Sequence, residues 1–252
     1  MSVAEDQRAD ETQARRAASG SAEKGRYVRA MFSDIAPRYD LLNHLLSFNV
    51  DRRWRRRAIR ELDWERDRDG TYLDLCAGTL DVSAELARQP GFTGRVLGAD
   101  FAEPMLRAGK GKAQATTVHP VVADVLALPL PDTSCAGAIV AFGVRNLANL
   151  DAGLREVSRV LRPGGRFVIL EFTTPRVGLV RTGYHLYFHH MLPRIGGFIS
   201  GNRAAYRYLP ESVAHFPSAS ALAERMRVAG FTDVRWTVLT LGIAAIHVGV
   251  RA

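Results

Sequence analysis

Leu73-Asp74-Leu75-Cys76-Ala77-Gly78-Thr79-Leu80-Asp81 carries an apolar run into a glycine and then into residues with helical spacing. This is the pattern of a strand, a tight turn and a helix. In a parallel sheet such a turn lies at the carboxyl edge, where doubly wound folds bind their ligands. Gly78 lets backbone approach a ligand closely. A dinucleotide fingerprint needs further glycines, so the stretch alone leaves a nucleotide-type site and an ordinary tight turn both open.

Downstream, apolar runs at 71–76, 95–100, 118–123, 136–142 and 165–172 alternate with helical spacing at 80–89, 103–114 and 151–161. Strand then helix, repeated, predicts a parallel sheet with right-handed crossovers. Pro163-Gly164-Gly165 is a turn signal that stops the helix ending at Val160-Leu161-Arg162 and starts the next strand. After Glu171 come an aromatic insertion from Tyr184 to Ile199, a helix at 218–229 ending at Gly230, and two strands at 231–240 and 242–250. The short link between these strands implies an antiparallel pair.

Upstream, residues 1–25 mix Ala, Ser, Arg and acids without periodicity and are expected to form a disordered tail. From Val28 to Trp64 the spacing is helical, with Leu41, Leu42, Leu45 and Leu46 on one stripe and Trp54, Ala58, Ile59 and Leu62 on another, broken near Pro37 and Asn49. At 252 residues, 47% hydrophobic and 24% charged, the chain suits one domain over 26–252. Within it, 26–68 forms a helical lid unit and 173–217 a helical substrate cover.

The 2 cysteines, Cys76 and Cys135, fall in strand-like segments and offer neither a disulfide framework nor a Cys-rich metal site. No apolar run reaches the roughly 18 residues of a membrane span, and none follows the first charges. A cytoplasmic location is expected. The formal net charge of +8 admits nucleic acid, an anionic membrane surface or an anionic small molecule. Its densest source is the cluster Arg52, Arg53, Arg55, Arg56, Arg57 and Arg60, with Asp51 inside it and Glu61, Asp63, Glu65, Asp67 and Asp69 following.

Asp100 closes the second strand roughly 20 residues past the glycine turn, where an acid can accept both ribose hydroxyls of an adenosine cofactor. It suits a helix N-cap equally. Asp124 closes the third strand beside Val125, a pair that fits an adenine amino group and its ring face. A plain turn at a strand end reads the same way.

Three such markers at successive strand ends, with Arg162-Pro163-Gly164-Gly165 before the fifth strand and the terminal antiparallel pair, resemble the class I methyltransferase fold. That is a Rossmann-like α/β fold with a mostly parallel seven-stranded sheet, an antiparallel last strand and here a helical N-terminal unit. A second set narrows the likeness: Tyr39-Asp40-Leu41-Leu42-Asn43-His44-Leu45-Leu46-Ser47 before Trp54, Phe142-Gly143-Val144-Arg145-Asn146, Arg159 through Glu171, Tyr208-Leu209-Pro210-Glu211-Ser212 with Phe216-Pro217, and Gly242 through Gly249. These resemble the quinone-biosynthesis C-methyltransferases, whose members methylate demethylmenaquinol and the ubiquinol precursor. The resemblance covers about residues 28–251 and implies S-adenosyl-L-methionine as cofactor. It places the cofactor at Thr79, Asp100, Asp124 and Val125, beside Asp74 and Gly78 of the turn. Leu80, Asp51 and Ala141 depart from the family's common residues.

The resemblance also implies a prenylated quinol as substrate, with a menaquinone precursor preferred to a ubiquinone precursor. Such a ring carbon gains nucleophilicity when its neighbouring hydroxyl is ionised or polarised. Arg145 and Asn146, just after the fourth strand, are the first candidates for that task, although Arg145 could instead pair with a structural carboxylate. Tyr39 and Asp40 are candidates to close over the site and His247 to act as a base, with a packed core histidine as its alternative. His185, His189 and His190 lack convergent acidic ligands, so no metal is expected.

The quinol's tail lies in a bilayer, so the face Arg53, Arg56, Arg57 and Arg60 is a candidate for peripheral contact with the anionic inner face of the cytoplasmic membrane. A solvated helix face competes with that reading. No nucleic-acid partner is expected, and a homodimer is left open. Competing functions are a methyltransferase of RNA or a soluble molecule, a nicotinamide-dependent oxidoreductase, and a noncatalytic binding relative.

Overall fold

The computed structural model describes residues 23–40, 47, 49–114, 116–175, 178, 182, 186 and 203–252. Seven strands form one sheet: β1 (Thr71–Leu75), β2 (Arg95–Asp100), β3 (Val118–Val122), β4 (Cys135–Ala141), β5 (Leu161–Phe172), β6 (Phe231–Leu239) and β7 (Ala244–Arg251). Their spatial order is β3-β2-β1-β4-β5-β7-β6. β1 to β5 pair in parallel, and β7 inserts antiparallel between β5 and β6. This is the Rossmann-like methyltransferase architecture expected from the sequence.

The helices are α1 (Lys24–Ile35), α2 (Val50–Glu61), α3 (Asp81–Ala87), α4 (Glu103–Ala108), α5 (Leu150–Val160), α6 (Arg203–Ala214) and α7 (Ala219–Val228). Alternation along the strands sorts the core into two layers. Tyr72, Ile139, Val168 and Leu170 meet Trp54, Ile59 and Leu62 around α2 and Val82 and Leu86 of α3. Leu73, Leu75, Val140 and Ile169 face the other way, onto Leu154 and Val157 of α5 and Leu222 and Met226 of α7. Each fully buried Leu or Ile contributes about 1.5–3 kcal/mol, so both faces of the sheet are pinned. Side-chain caps start two of these helices: Asn149 accepts from the Ala152 N–H at 3.0 Å and Ser218 from the Ala221 N–H at 3.3 Å.

Several boundaries differ from expectation. The tail was expected to reach residue 25, yet α1 already begins at Lys24, whose side chain is buried. Ala36–Arg38 forms a 3-10 turn at the expected Pro37 break, and Asn49 takes φ 59° before α2. α4 stops at Ala108, short of 114, because Gly109 caps it and the chain turns. Leu161 already pairs with Cys135, while Arg166 pairs with Gly137. The turn at 163–165 is therefore a bulge inside β5. The Leu41–Leu46 stripe, most of the 1–25 tail and the 184–199 insertion with its histidines, apart from Leu186, lie outside the described residues.

Candidate active site

β1 and β4 are neighbours in the sheet but are reached by connections running in opposite directions. Crevices form at such switch points. A cleft opens there, about 640 Å3 when the solvent space at its mouth is included. It has three walls.

The first wall comes from the carboxyl ends of β1, β2 and β3. Gly78 has φ +54°, and an added Cβ would press within 3.3 Å of Met105 Cε, so glycine suits the turn on both counts. Its N–H donates to Asp100 Oδ2 at 2.9 Å, and the Ala102 N–H donates to Asp100 Oδ1 at 2.8 Å. Burial pushes the Asp100 carboxyl up, against backbone N–H groups that pull it down. Asp124 Oδ1 accepts from the Leu126 N–H at 2.9 Å. Both acids line the cleft with Val125, Phe101, Met105 and Ala123.

The second wall is the N-terminal unit. Gly25, Phe32 and Tyr39 line the cleft. Phe32, Ala36 and Tyr39 pack with Phe101, Ala102 and Met105, so this part of the unit rests on the start of α4 and the turn before it, while α2 packs into the main core. Asp40 Oδ1 accepts from Thr79 Oγ1 at 2.5 Å, and Asp40 Oδ2 pairs with Lys112 Nζ at 2.5 Å.

The third wall follows β4, with Ala141, Phe142, Gly143, Asn146, Leu147 and Ala148. The rings of Phe142 and Phe172 are 4.5 Å apart, and Trp54 lies 6.1 Å from Phe142. Asn146 is buried, and its Oδ1 has no hydrogen-bond partner among the described residues. Leaving a buried acceptor unpaired costs about 1–3 kcal/mol, so this oxygen is suited to a donor entering the cleft.

Gly78, Asp100, Asp124, Val125, Tyr39 and Asn146 thus meet in one cleft. Thr79 and Asp40 bond to each other beside it. Three candidates lie elsewhere. The Asp74 carboxylate faces away from the cleft, accepting from Ser83 N–H at 3.0 Å and Ser83 Oγ at 2.6 Å at the start of α3; burial pushes it up to about 7. Arg145 is buried and does not line the cleft. Its Nη1 meets Glu171 Oε1 at 2.9 Å and also donates to the Phe142 carbonyl, and its Nε donates to Ser212 Oγ at 3.3 Å. It is the carboxylate-paired arginine of the alternative reading. His247 sits in β7 with 1% exposure, stacked on Trp236, its ring nitrogen 2.9 Å from the Ala219 carbonyl. Burial pulls its pKa down, which marks a packed, neutral histidine.

Sequence reading missed Lys24, whose Nζ donates to the Arg145 carbonyl at 2.8 Å, and Lys112. It also passed over Glu171, although an acid inside the apolar run Phe167–Phe172 was a usable signal. Two of the departing residues, Leu80 and Asp51, have local accounts. Leu80 holds φ +64° at the start of α3. Asp51 accepts from Ser47 Oγ at 2.6 Å and lies 3.4 Å from Arg55. Cys76 lines the cleft, but burial and neighbouring acids push its thiol up, so it is no ready nucleophile. Among the described residues no cluster suits a metal ion.

The model of the ubiE/COQ5 methyltransferase family matches residues 20–251. The chain belongs to this family. It is 52% identical over 224 residues to a demethylmenaquinone methyltransferase of Thermus thermophilus, covering 88% of this chain and 100% of that protein. It is 46% identical over 231 residues to a Geobacter sulfurreducens protein named ubiquinone/menaquinone biosynthesis C-methyltransferase UbiE, covering 90% and 89%. A solved S-adenosylmethionine-dependent methyltransferase from Thermotoga maritima shares the fold with TM-score 0.59 at 15% identity, over 88% of this chain and 99% of that one. The methyltransferase class, with S-adenosylmethionine as its methyl donor, replaces the oxidoreductase alternative.

The cleft fits that donor. Two carboxylates at successive strand ends suit the ribose hydroxyls and the adenine amino group. Val125, Phe101 and Met105 offer apolar surface to the ring, and Gly78 leaves backbone bare where the donor would press closest.

Proposed function

We propose that this chain methylates a ring carbon of a reduced, prenylated quinone precursor, with demethylmenaquinol as the first choice of acceptor. The observation that carries this reading is Asn146, a buried unpaired acceptor in a cleft wall that also presents Phe142. An aromatic ring with a hydroxyl beside its reacting carbon matches both. The names of the relatives point to the same acceptor class.

The bound donor supplies an electrophilic methyl carbon on a sulfonium. Asp100 and Asp124, positioned by the Gly78, Ala102 and Leu126 N–H groups, would hold its adenosine end. Asn146 Oδ1 accepts a hydrogen bond from the quinol hydroxyl and draws electron density toward the neighbouring ring carbon. With the donor bound, a bond from that carbon to the methyl would form as the methyl–sulfur bond breaks, leaving a neutral sulfide, and the ring proton would pass to solvent as the product leaves. Tyr39 and Phe32 exclude water, and alignment lowers the barrier by several kcal/mol. Arg145 acts from beneath: tied to Glu171 and Ser212, it fixes the Val144–Asn146 turn and so the direction of Asn146.

Incubating the full chain with S-adenosylmethionine and a reduced demethylmenaquinone analogue should yield one added carbon-bound methyl by mass spectrometry. Donor binding without a methylated ring would refute this acceptor.

The acceptor's tail also needs a lipid surface. Arg52, Arg53, Arg56, Arg57 and Arg60 are exposed on α2, and no helix among the described residues is long and apolar enough to cross a membrane. The proposed contact is peripheral, by attraction of this face to anionic headgroups. Charge reversal there should abolish sedimentation with anionic vesicles; unchanged sedimentation would reject the contact.

A further inference from the structure

The segment from Lys24 to Asp40 crosses the cleft and is fastened at both ends by lysines. At its start Lys24 Nζ donates to the Arg145 carbonyl. At its end Lys112 Nζ sits 2.5 Å from Asp40 Oδ2 and 2.6 Å from Asp81 Oδ1. Asp81 also pairs with Arg55 of α2. Burial alone would raise the Asp81 carboxyl, but Arg55 and Lys112 outweigh it and hold it below its usual range. Asp81 is therefore ionised and holds Lys112 beside Asp40.

The turn carrying Lys112 is shaped for this. A Cβ at Gly109 would strike the Thr79 carbonyl oxygen at 2.4 Å, so the turn lies directly on the glycine loop. Gly111 has φ +90° and reverses the chain, delivering Lys112 toward Asp81. The same loop supplies Thr79 Oγ1 to Asp40. Asp40 thus lands on two donors fixed to the donor-binding turn, and its neighbour Tyr39 is set over Gly78, its ring carbon 3.8 Å from where a Gly78 Cβ would lie. Lys112 and Asp40 keep 24% and 34% side-chain exposure. A pair so exposed is weak enough to open.

We propose that Lys112 is the positioning residue that latches the Tyr39 end of this segment over the bound methyl donor, and that release of the Lys112–Asp40 pair opens the donor's exit. Lys112 does not line the cleft, so it acts through Asp40 and Tyr39. The proposal rests on the reading of the cleft as the donor site.

The test compares wild type with Lys112→Met and Lys112→Arg in the full chain, using S-adenosylhomocysteine as probe. Lys112→Met should weaken its binding about tenfold (~1.4 kcal/mol), mainly through faster dissociation. It should raise KM for the donor by a similar factor and leave KM for the quinol near its wild-type value. Lys112→Arg should restore most of the loss. Hydrogen exchange gives an independent readout: the probe should protect residues 30–40 in wild type, with that protection reduced in Lys112→Met. Unchanged dissociation and protection in folded Lys112→Met would overturn the latch, as would equal increases in both KM values. If Lys112→Met fails to fold, Asp40→Asn takes its place with the same criteria. A wild type that does not bind the probe at all would instead overturn the donor-site reading.

Discussion

The cleft wall at β1 to β3, proposed to hold the donor, and the wall after β4, proposed to face the acceptor, are built differently. In the first, Asp100 and Asp124 are oriented by N–H groups 2 residues ahead, at Ala102 and Leu126, and by Gly78 at a separation of 22. In the second, the turn bearing Arg145 and Asn146 is held by Glu171, Ser212 and Lys24, at separations of 26, 67 and 121. Local backbone geometry makes one wall, and a buried ion pair drawn from distant elements makes the other. The first tolerates loss of a charge, whereas the second depends on one.

The largest effect that comparison predicts is on stability. Glu171→Gln leaves the Arg145 cation buried without its partner, an arrangement that costs about 3–5 kcal/mol. The urea midpoint should fall accordingly, and a loss under about 1 kcal/mol would show that the pair does not hold the wall. Asp100→Asn should cost less, about 1–3 kcal/mol, because its NH2 group leaves one of the Gly78 and Ala102 N–H groups without an acceptor while burial already disfavours the lost charge. It should weaken S-adenosylhomocysteine binding roughly tenfold to a hundredfold, the worth of charge-assisted hydrogen bonds.

Asn146→Ala sharpens the contrast. Turnover should fall about tenfold for one lost hydrogen bond to the acceptor, with donor affinity at the wild-type level by calorimetry. If donor affinity falls as far as in Asp100→Asn, the two walls are not separate.

Legibility followed the same division. The strand ends, Gly78, Asp100 and Asp124 could be read because the turn chemistry that defines them is local. Asn146 was marked by its place after β4. Arg145 was marked too, but its geometry turns on Glu171, and no spacing rule pairs residues across two strands. Lys24 was lost to a tail boundary set by composition. Its burial needs α1 to reach the turn after β4, which periodicity does not show. Lys112 falls in the stretch 103–114 whose spacing reads as helical, whereas the helix stops at Ala108, and the acid it serves is supplied by a different segment.

His247 offers the smallest test. Burial lowers its folded pKa below the unfolded value, so the folded state binds fewer protons there. The stability this group contributes is complete above about pH 6.5 and is lost as pH falls toward the folded value, by up to about 1.4 kcal/mol per pH unit. His247→Gln should flatten that slope in unfolding titrations without altering the pH profile of turnover. A changed activity profile would return His247 to the reaction.

The proposed function stands on the proposal that the cleft between β1 and β4 grips the methyl donor through Asp100 and Asp124. Titrating S-adenosylhomocysteine into the folded full chain by calorimetry is the most direct check. The account predicts saturable binding of one molecule per chain, weakened in Asp100→Asn. No binding heat across temperatures with well-folded protein, or equal affinity in Asp100→Asn, would contradict it.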